Sequence, residues 1–121
     1  MSFGEILTCV RENIPVTAVV LYNGQWGAEK QNQVDFYANR FEGVNIENPS
    51  WAGLARAMGA QGIEVTSLGQ VGEALQQACE AQTKGKTTVL DVHVTMELGD
   101  PFRRDALAKP IRFLDKYKDY V

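Results

Sequence analysis

Residues 22–27, with the sequence YNGQWG, form the segment of the chain best suited to bind a ligand. They follow an apolar run that is typical of a buried strand, and ligands of open α/β sheets bind beyond the carboxyl ends of such strands. The Asn23 amide oxygen and the backbone carbonyls of a glycine-containing turn are hard oxygen donors, which suit magnesium held together with a phosphate. Exposed backbone N–H groups in the turn can receive phosphate oxygens. Since Asn-Gly is the commonest turn dipeptide, an ordinary surface turn is the alternative interpretation.

Trp26 is the second candidate, because it stands between Gln25 and Gly27 in a polar segment. A large aromatic side chain normally needs something to cover it. We therefore expect the indole either to lie against a ligand or a partner subunit, or to pack this long segment onto its own domain.

His93 is the only histidine of the chain, and Asp91 shares its face of a predicted strand at a spacing of two residues. An Asp–His pair is one arrangement for acid–base catalysis. Residues two apart on a strand lie side by side, however, and neither fixes the tautomer of the other, so we favour a structural histidine.

Arg103 and Arg104 follow Asp100-Pro101 in the last part of the chain. Their guanidinium groups have the shape to bind a phosphate or a sulfonate. Most adjacent arginines in a terminal helix instead make exposed ion pairs, which is the interpretation we favour from the residues alone.

Composition excludes several classes of protein. A chain of 121 residues with 45% hydrophobic positions predicts one domain with a core, and a net charge of -3 gives no general attraction to nucleic acid. No apolar run approaches the roughly 20 residues of a membrane span, and no leader pattern opens the chain, so we expect a cytoplasmic protein.

Cys9 and Cys79 form no CxxC pair, and we expect both to be reduced, semi-buried packing residues. The sequence contains no GxSxG, HExxH, GxGxxG or P-loop motif. This excludes the common hydrolase, zinc protease, Rossmann and nucleotide-triphosphatase classes.

Apolar periodicity predicts helices and strands that alternate along the chain. The predicted elements are a helix through Phe3, Ile6, Leu7 and Val10, a strand over Val16–Tyr22, a polar loop over Asn23–Asn48 with a helical turn or two around Ala28–Tyr37, a helix with Asn48 as N-cap and Pro49 at its first position, a strand over Ile63–Val65, a helix over about Leu68–Gln82 and a strand over Thr87–Thr95. This order predicts an α/β fold, with an open, mainly parallel sheet and helices on both faces. We expect a single domain over residues 1–121, with a helical extension from about residue 97.

Three segments carry a resemblance to a known family: Ile14–Tyr37, Asn48–Gly62 and Glu97–Tyr120. They resemble the carboxyl-terminal part of the sulfoacetaldehyde acetyltransferases, which depend on thiamin diphosphate. The sequences NGQWGAEK and ELGDPFRRDAL distinguish this family from general thiamin enzymes such as acetolactate synthase.

The resemblance implies conversion of sulfoacetaldehyde and phosphate into acetyl phosphate and sulfite, on thiamin diphosphate held at a subunit interface. It implies that Asn23 is a magnesium ligand, that the Gln25 backbone carbonyl also binds the metal, and that Trp26, Gly27 and Ala28 lie along the diphosphate. It further implies a homo-oligomer or a complementing subunit, and small anionic substrates that give Arg103 and Arg104 more weight.

The family's Gly-Asp-Gly motif is not found in the 121 residues, and the resemblance places it just before Met1. Without its carboxylate the magnesium would meet only neutral oxygens, so we expect weak or absent cofactor binding and no turnover by this chain alone. The alternative is a non-catalytic α/β module that self-associates or binds small anions.

Overall fold

The computed structural model of the chain describes residues 2–98. Its elements are α1 (Glu5–Arg11), β1 (Thr17–Tyr22), α2 (Gly27–Phe36), α3 (Trp51–Ala57), β2 (Gln61–Val65), α4 (Val71–Thr83) and β3 (Thr88–His93), with a 3₁₀ helix over Leu68–Gln70. The predicted helical extension beyond residue 98, together with Arg103 and Arg104, lies outside the described residues. Within residues 2–98, no helix is long and apolar enough to cross a membrane.

The chain divides into two compact units, one made of Met1–Asn23 and Glu47–Thr95, the other of Gly24–Ile46 and the residues from Met96 onward. The first unit contains a three-stranded sheet in the order β1-β3-β2, and both pairings are parallel. This sheet confirms the predicted α/β class. The second unit contains α2.

Helices cover both faces of the sheet in the first unit. Val89 and Leu90 are neighbours in β3, so their side chains point to opposite faces. One core contains the buried residues Ile6, Ala55 and Val89, and the other contains Val65, Ala74, Ala78 and Leu90. Accordingly α1 and α3 pack on one face, and α4 packs on the other.

α1 ends at a residue in the left-handed conformation. Asn13 adopts a left-handed conformation with φ 54°, and the Ile14 N–H donates to the Cys9 carbonyl at 2.9 Å. A single residue in the left-handed conformation thus caps the carboxyl end of α1, and Pro15 prevents the helix from continuing.

The predicted start of α3 is wrong by two residues. Ser50, not Asn48, is the N-cap, because its hydroxyl oxygen accepts from the Gly53 N–H at 2.9 Å. The Asn48 N–H instead donates to the Tyr22 hydroxyl at 3.4 Å. Pro49 therefore lies ahead of the helix rather than at its first position.

The segment predicted to be mainly loop contains a full helix. In place of a turn or two around residues 28–37, α2 runs for ten residues over Gly27–Phe36. Its sequence GAEKQNQVDF carries no apolar stripe, so periodicity gives no signal for it.

Gly62 allows α3 to lie directly on β2. A Cβ atom at this position would clash with the backbone carbonyl oxygen of Ala52, a residue that is itself fully buried. The backbones of the two elements thus meet without an intervening side chain, and only glycine fits.

We predict that Gly62→Ala lowers the free energy of unfolding by about 1–3 kcal/mol, the usual cost of overpacking, because α3 must move off the sheet. Gly72→Ala is the matched control, since nothing lies within 4 Å of its added methyl group and α4 gains a better helix former. Urea unfolding measures both variants. Equal stabilities for the two variants would contradict the close packing of α3 on β2.

Candidate functional site

The turn after β1 begins the second unit and is held by a short antiparallel bridge. Gly24 has φ 66°, a conformation that favours glycine. The bridge pairs Gln25 with Asn45, with the Trp26 N–H donating to the Val44 carbonyl and the Ile46 N–H donating to the Gly24 carbonyl, each at 2.8 Å. The turn is therefore an ordered structure with its own backbone pairing.

The side chain of Gln25 is buried and serves to hold this unit together. Its Nε2 donates to the Met96 carbonyl at 2.6 Å, and its Oε1 accepts from Lys30 Nζ at 2.9 Å. Lys30 also lies over the ring of Phe41, 5.5 Å from the centroid, which is within cation–π range. Both of these hydrogen bonds use the side-chain amide of Gln25.

Residues 26–28 form the start of α2. Trp26 occupies the N-cap position without a side-chain cap, and its carbonyl accepts the first helical bond, from the Lys30 N–H at 2.9 Å. The first N–H groups of a helix have no partner within the helix and carry its positive end, which attracts anions. Gly27 and Ala28, predicted to lie along a diphosphate, are the first two residues of this turn.

The side chain of Trp26 is 58% exposed. Both expectations for this residue, contact with a ligand or partner and packing of its segment onto the domain, stay predictions.

The first unit brings several polar side chains to the carboxyl ends of its three strands. Asn23 follows β1 directly and is half-buried. Tyr22 at the end of β1 lies opposite His93 at the end of β3, with ring centroids 5.5 Å apart in an edge-on contact. Glu64 comes from β2, and its Oε1 lies 3.3 Å from His93 Nε2.

Asp91, in β3, binds the start of α3, a structural role that the sequence analysis did not predict. Its carboxylate is 1% exposed, and Oδ2 accepts from the N–H groups of Trp51 at 2.8 Å and Ala52 at 3.2 Å. A carboxylate at the positive end of a helix is stabilising. The distance from Asp91 Oδ1 to His93 Nε2 is 3.8 Å, which is longer than the 3.3 Å between Glu64 Oε1 and the same nitrogen. The favoured structural interpretation of the Asp91 and His93 pair therefore agrees with the geometry.

The cysteines differ from each other in burial. Both thiols are free, and Cys9 is half-buried as expected, whereas Cys79 is exposed. The packing role predicted for Cys79 is wrong, because α4 buries its neighbour Ala78 and turns Cys79 away from the core.

Metal-binding side chains do not cluster in the part of the chain that the structure describes. No group of three or more His, Cys, Asp or Glu residues within residues 2–98 could hold a metal ion.

The sequence places the chain in a family. Residues 1–92 match the family described as "Thiamine pyrophosphate enzyme, C-terminal TPP binding domain". The chain belongs to this family. Thiamine pyrophosphate is another name for thiamin diphosphate, so the match agrees with the cofactor that the resemblance implied.

Comparison with individual relatives shows which enzymes of this kind the chain is similar to. The chain is 60% identical over its whole length to the sulfoacetaldehyde acetyltransferase of Castellaniella defragrans, and 61% identical to that of Alcaligenes xylosoxydans xylosoxydans. Identity to the acetolactate synthase large subunit of Parasynechococcus marenigrum is 30% over 78% of the chain. The chain spans 20% of the length of the first two relatives and 15% of the third.

We predict that Asp91→Ala destabilises the chain by about 3 kcal/mol, because two N–H groups at the start of α3 lose a charged acceptor. Ser50→Ala removes an exposed cap from the same helix and should cost about 1 kcal/mol. Thermal unfolding of both variants measures the difference. Equal losses would show that Asp91 does not anchor α3.

We predict that Gln25→Leu increases hydrogen exchange at the Trp26 and Ile46 amides by about tenfold, equivalent to about 1.4 kcal/mol, because Met96 and Lys30 lose their partner. Gln31→Leu is the control, since it removes only a hydrogen bond to Asp35 within α2. Unchanged exchange at both amides in Gln25→Leu would contradict a structural role for this side chain.

Proposed function

We propose that the chain forms part of the cofactor site of a thiamin diphosphate-dependent sulfoacetaldehyde acetyltransferase. The reaction converts sulfoacetaldehyde and phosphate into acetyl phosphate and sulfite. The observation that carries this proposal is 60% identity over the whole chain to an enzyme of that name, together with the match of residues 1–92 to the cofactor-binding family. At 30%, identity to an acetolactate synthase is half as high, which supports the choice of substrate.

Within this proposal, Asn23 and Gln25 bind magnesium, Asn23 through its side-chain oxygen and Gln25 through its backbone carbonyl. The chemistry of the donors fits, because magnesium prefers hard oxygen ligands.

Trp26, Gly27 and Ala28 lie along the diphosphate in this proposal. Support comes from the start of α2, where the first N–H groups precede any helical bond and Trp26 supplies no side-chain cap. Glu29 in the same turn is exposed and can point into solvent.

When bound, thiamin diphosphate supplies the electron sink for cleavage of the aldehyde substrate. The residues of this chain bind and orient it. The bridge between Gln25 and Asn45 fixes the turn, and the buried Gln25 side chain prevents its rotation. Binding the cofactor and holding it in one orientation is the main contribution of the protein in cofactor enzymes.

We also propose that the chain acts in the cytoplasm within a homo-oligomer or beside a complementing subunit, on small anionic substrates. The proposed donors of the 121 residues are neutral, so the isolated chain should bind magnesium and diphosphate weakly. Arg103 and Arg104 stay candidates for contacts to the phosphate or the sulfonate.

The first test is an assay of the isolated 121-residue chain with thiamin diphosphate, magnesium, phosphate and sulfoacetaldehyde. We expect no acetyl phosphate. Calorimetric titration of the chain with thiamin diphosphate and magnesium should give weak or unmeasurable binding. Acetyl phosphate made by the chain alone would overturn the claim that it needs further protein.

The second test uses a longer protein that contains this segment. We predict that Asn23→Ala raises the dissociation constant of thiamin diphosphate in magnesium by at least about tenfold, the usual cost of disturbing a metal ligand shell. Asn45→Ala is the control, since Asn45 joins the bridge through its backbone and its side chain is exposed. Equal affinities for the wild type and Asn23→Ala would remove Asn23 from the site.

A further inference from the structure

Asn23 and Gly24 form an Asn-Gly pair, and no other asparagine of the chain is followed by glycine. An asparagine loses its side-chain amide when the backbone nitrogen of the next residue attacks the side-chain carbonyl carbon. A side chain on that next residue hinders the attack, and glycine has none. The other asparagines are followed by larger residues or by proline, and they are Asn13, Asn32, Asn39, Asn45 and Asn48. Steric hindrance to this reaction is therefore least at Asn23.

At the other asparagines, a hydrogen bond or the residue type restrains the nitrogen that would attack. Pro49, after Asn48, has no N–H. Gln33, after Asn32, lies inside α2, where N–H groups bond within the helix. After Asn13, Asn39 and Asn45, the donors and acceptors are the Ile14 N–H and the Cys9 carbonyl at 2.9 Å, the Arg40 N–H and the Tyr37 carbonyl at 3.1 Å, and the Ile46 N–H and the Gly24 carbonyl at 2.8 Å.

The Gly24 nitrogen differs from these five. Within residues 2–98, no hydrogen bond is donated by the Gly24 N–H, although the Gly24 carbonyl takes part in the bridge between Gln25 and Asn45. Asn23 and Gly24 are both half-buried, so water reaches the turn. The least hindered attack and the nitrogen that is not held by a hydrogen bond thus occur at the same position.

We propose that Asn23 is a site of spontaneous deamidation, through a cyclic imide that it forms with the Gly24 nitrogen. That nitrogen forms a bond to the Asn23 side-chain carbonyl carbon, and the side-chain amide leaves as ammonia, with the proton of the Gly24 N–H as its third hydrogen. Water then adds to one of the two imide carbonyls and breaks the bond from that carbon to the ring nitrogen. Opening at the side-chain carbonyl gives aspartate, and opening at the main-chain carbonyl gives isoaspartate. The reaction consumes water and requires no other reagent.

Either product puts a carboxylate in place of the neutral amide of Asn23. Isoaspartate also lengthens the main chain by a carbon, just before the bridge between Gln25 and Asn45. The effect on the cofactor rests on the proposed function, in which the Asn23 side-chain oxygen and the Gln25 carbonyl bind the same magnesium. The longer main chain changes the spacing of these two oxygens, and a bound ion holds the Asn23 amide so that the imide cannot form. Cofactor-free protein should thus be modified at Asn23, and loaded protein should be protected.

The first test incubates the purified 121-residue chain and follows each asparagine by mass spectrometry of its peptides. We expect deamidation at Asn23 to be at least about tenfold faster than at Asn39 and Asn45, because glycine has no side chain to hinder the attack. Asn39 and Asn45 are the controls within the same sample, since both are exposed to solvent. The rate should rise with pH, because the attacking nitrogen must lose its proton. Equal rates at the three positions would overturn the proposal.

The second test separates the effect of the fold from that of the sequence, with Arg40→Gly as the matched variant. This change gives Asn39 a following glycine as well, but the N–H at position 40 still donates to the Tyr37 carbonyl. In urea, Asn23 and Asn39 of the variant should react at equal rates. In the folded variant, Asn39 should react at least about tenfold more slowly than Asn23, because the nitrogen that follows it is hydrogen-bonded. Equally slow reaction of both asparagines in the folded variant would also overturn the proposal, since the turn would then block the attack.

A longer protein that contains this segment tests the effect of the cofactor. Saturation with thiamin diphosphate and magnesium should slow deamidation at Asn23 at least about tenfold, because few molecules then have an empty site, and should leave Asn39 unchanged. An unchanged rate at Asn23 in the loaded protein would overturn the protection and remove Asn23 from the proposed metal site. The modification seen in the first two tests would still stand, so failure of the proposed function and failure of this inference are distinguishable.

Discussion

Parallel pairing of β1 and β2 with β3 is the constraint on which the rest of the structure depends. Because all three strands point the same way, their carboxyl ends meet at one edge, and Tyr22, Glu64 and His93 come together from three separate parts of the sequence. The same constraint requires each connection to cross a face of the sheet, which is why helices lie on both faces. Asp91 then ties the start of α3 to the central strand through two hydrogen bonds.

Much of this fold was predictable from the sequence because its strands are short apolar runs with clear boundaries. The strand at Val16–Tyr22, the α4 stripe and the end of α1 at Asn13 follow from local patterns. The full length of α2 was not predictable from local patterns, because its polar sequence has no apolar face. The start of α3 was misplaced, because the acceptor for its first N–H groups is Asp91, which lies 40 residues away in the sequence.

The site was predictable only in part. Its position after β1 follows from the general rule for ligands of α/β sheets, and the chemistry of an Asn-Gly turn suggests a metal and a phosphate. The structural role of the Gln25 side chain depends on Met96, far along the chain, and no local pattern shows it. Family membership is shown by the match of residues 1–92, and the role of the turn in cofactor binding stays a proposal.

The most direct test of the central claim is to locate the metal. Crystals of a longer protein containing this segment, grown with thiamin diphosphate and with manganese in place of magnesium, would give an anomalous peak at the ion. The account predicts a peak within coordination distance of the Asn23 side-chain oxygen and the Gln25 carbonyl. A peak bound elsewhere, with the Asn23 side chain turned away from it, would contradict the account.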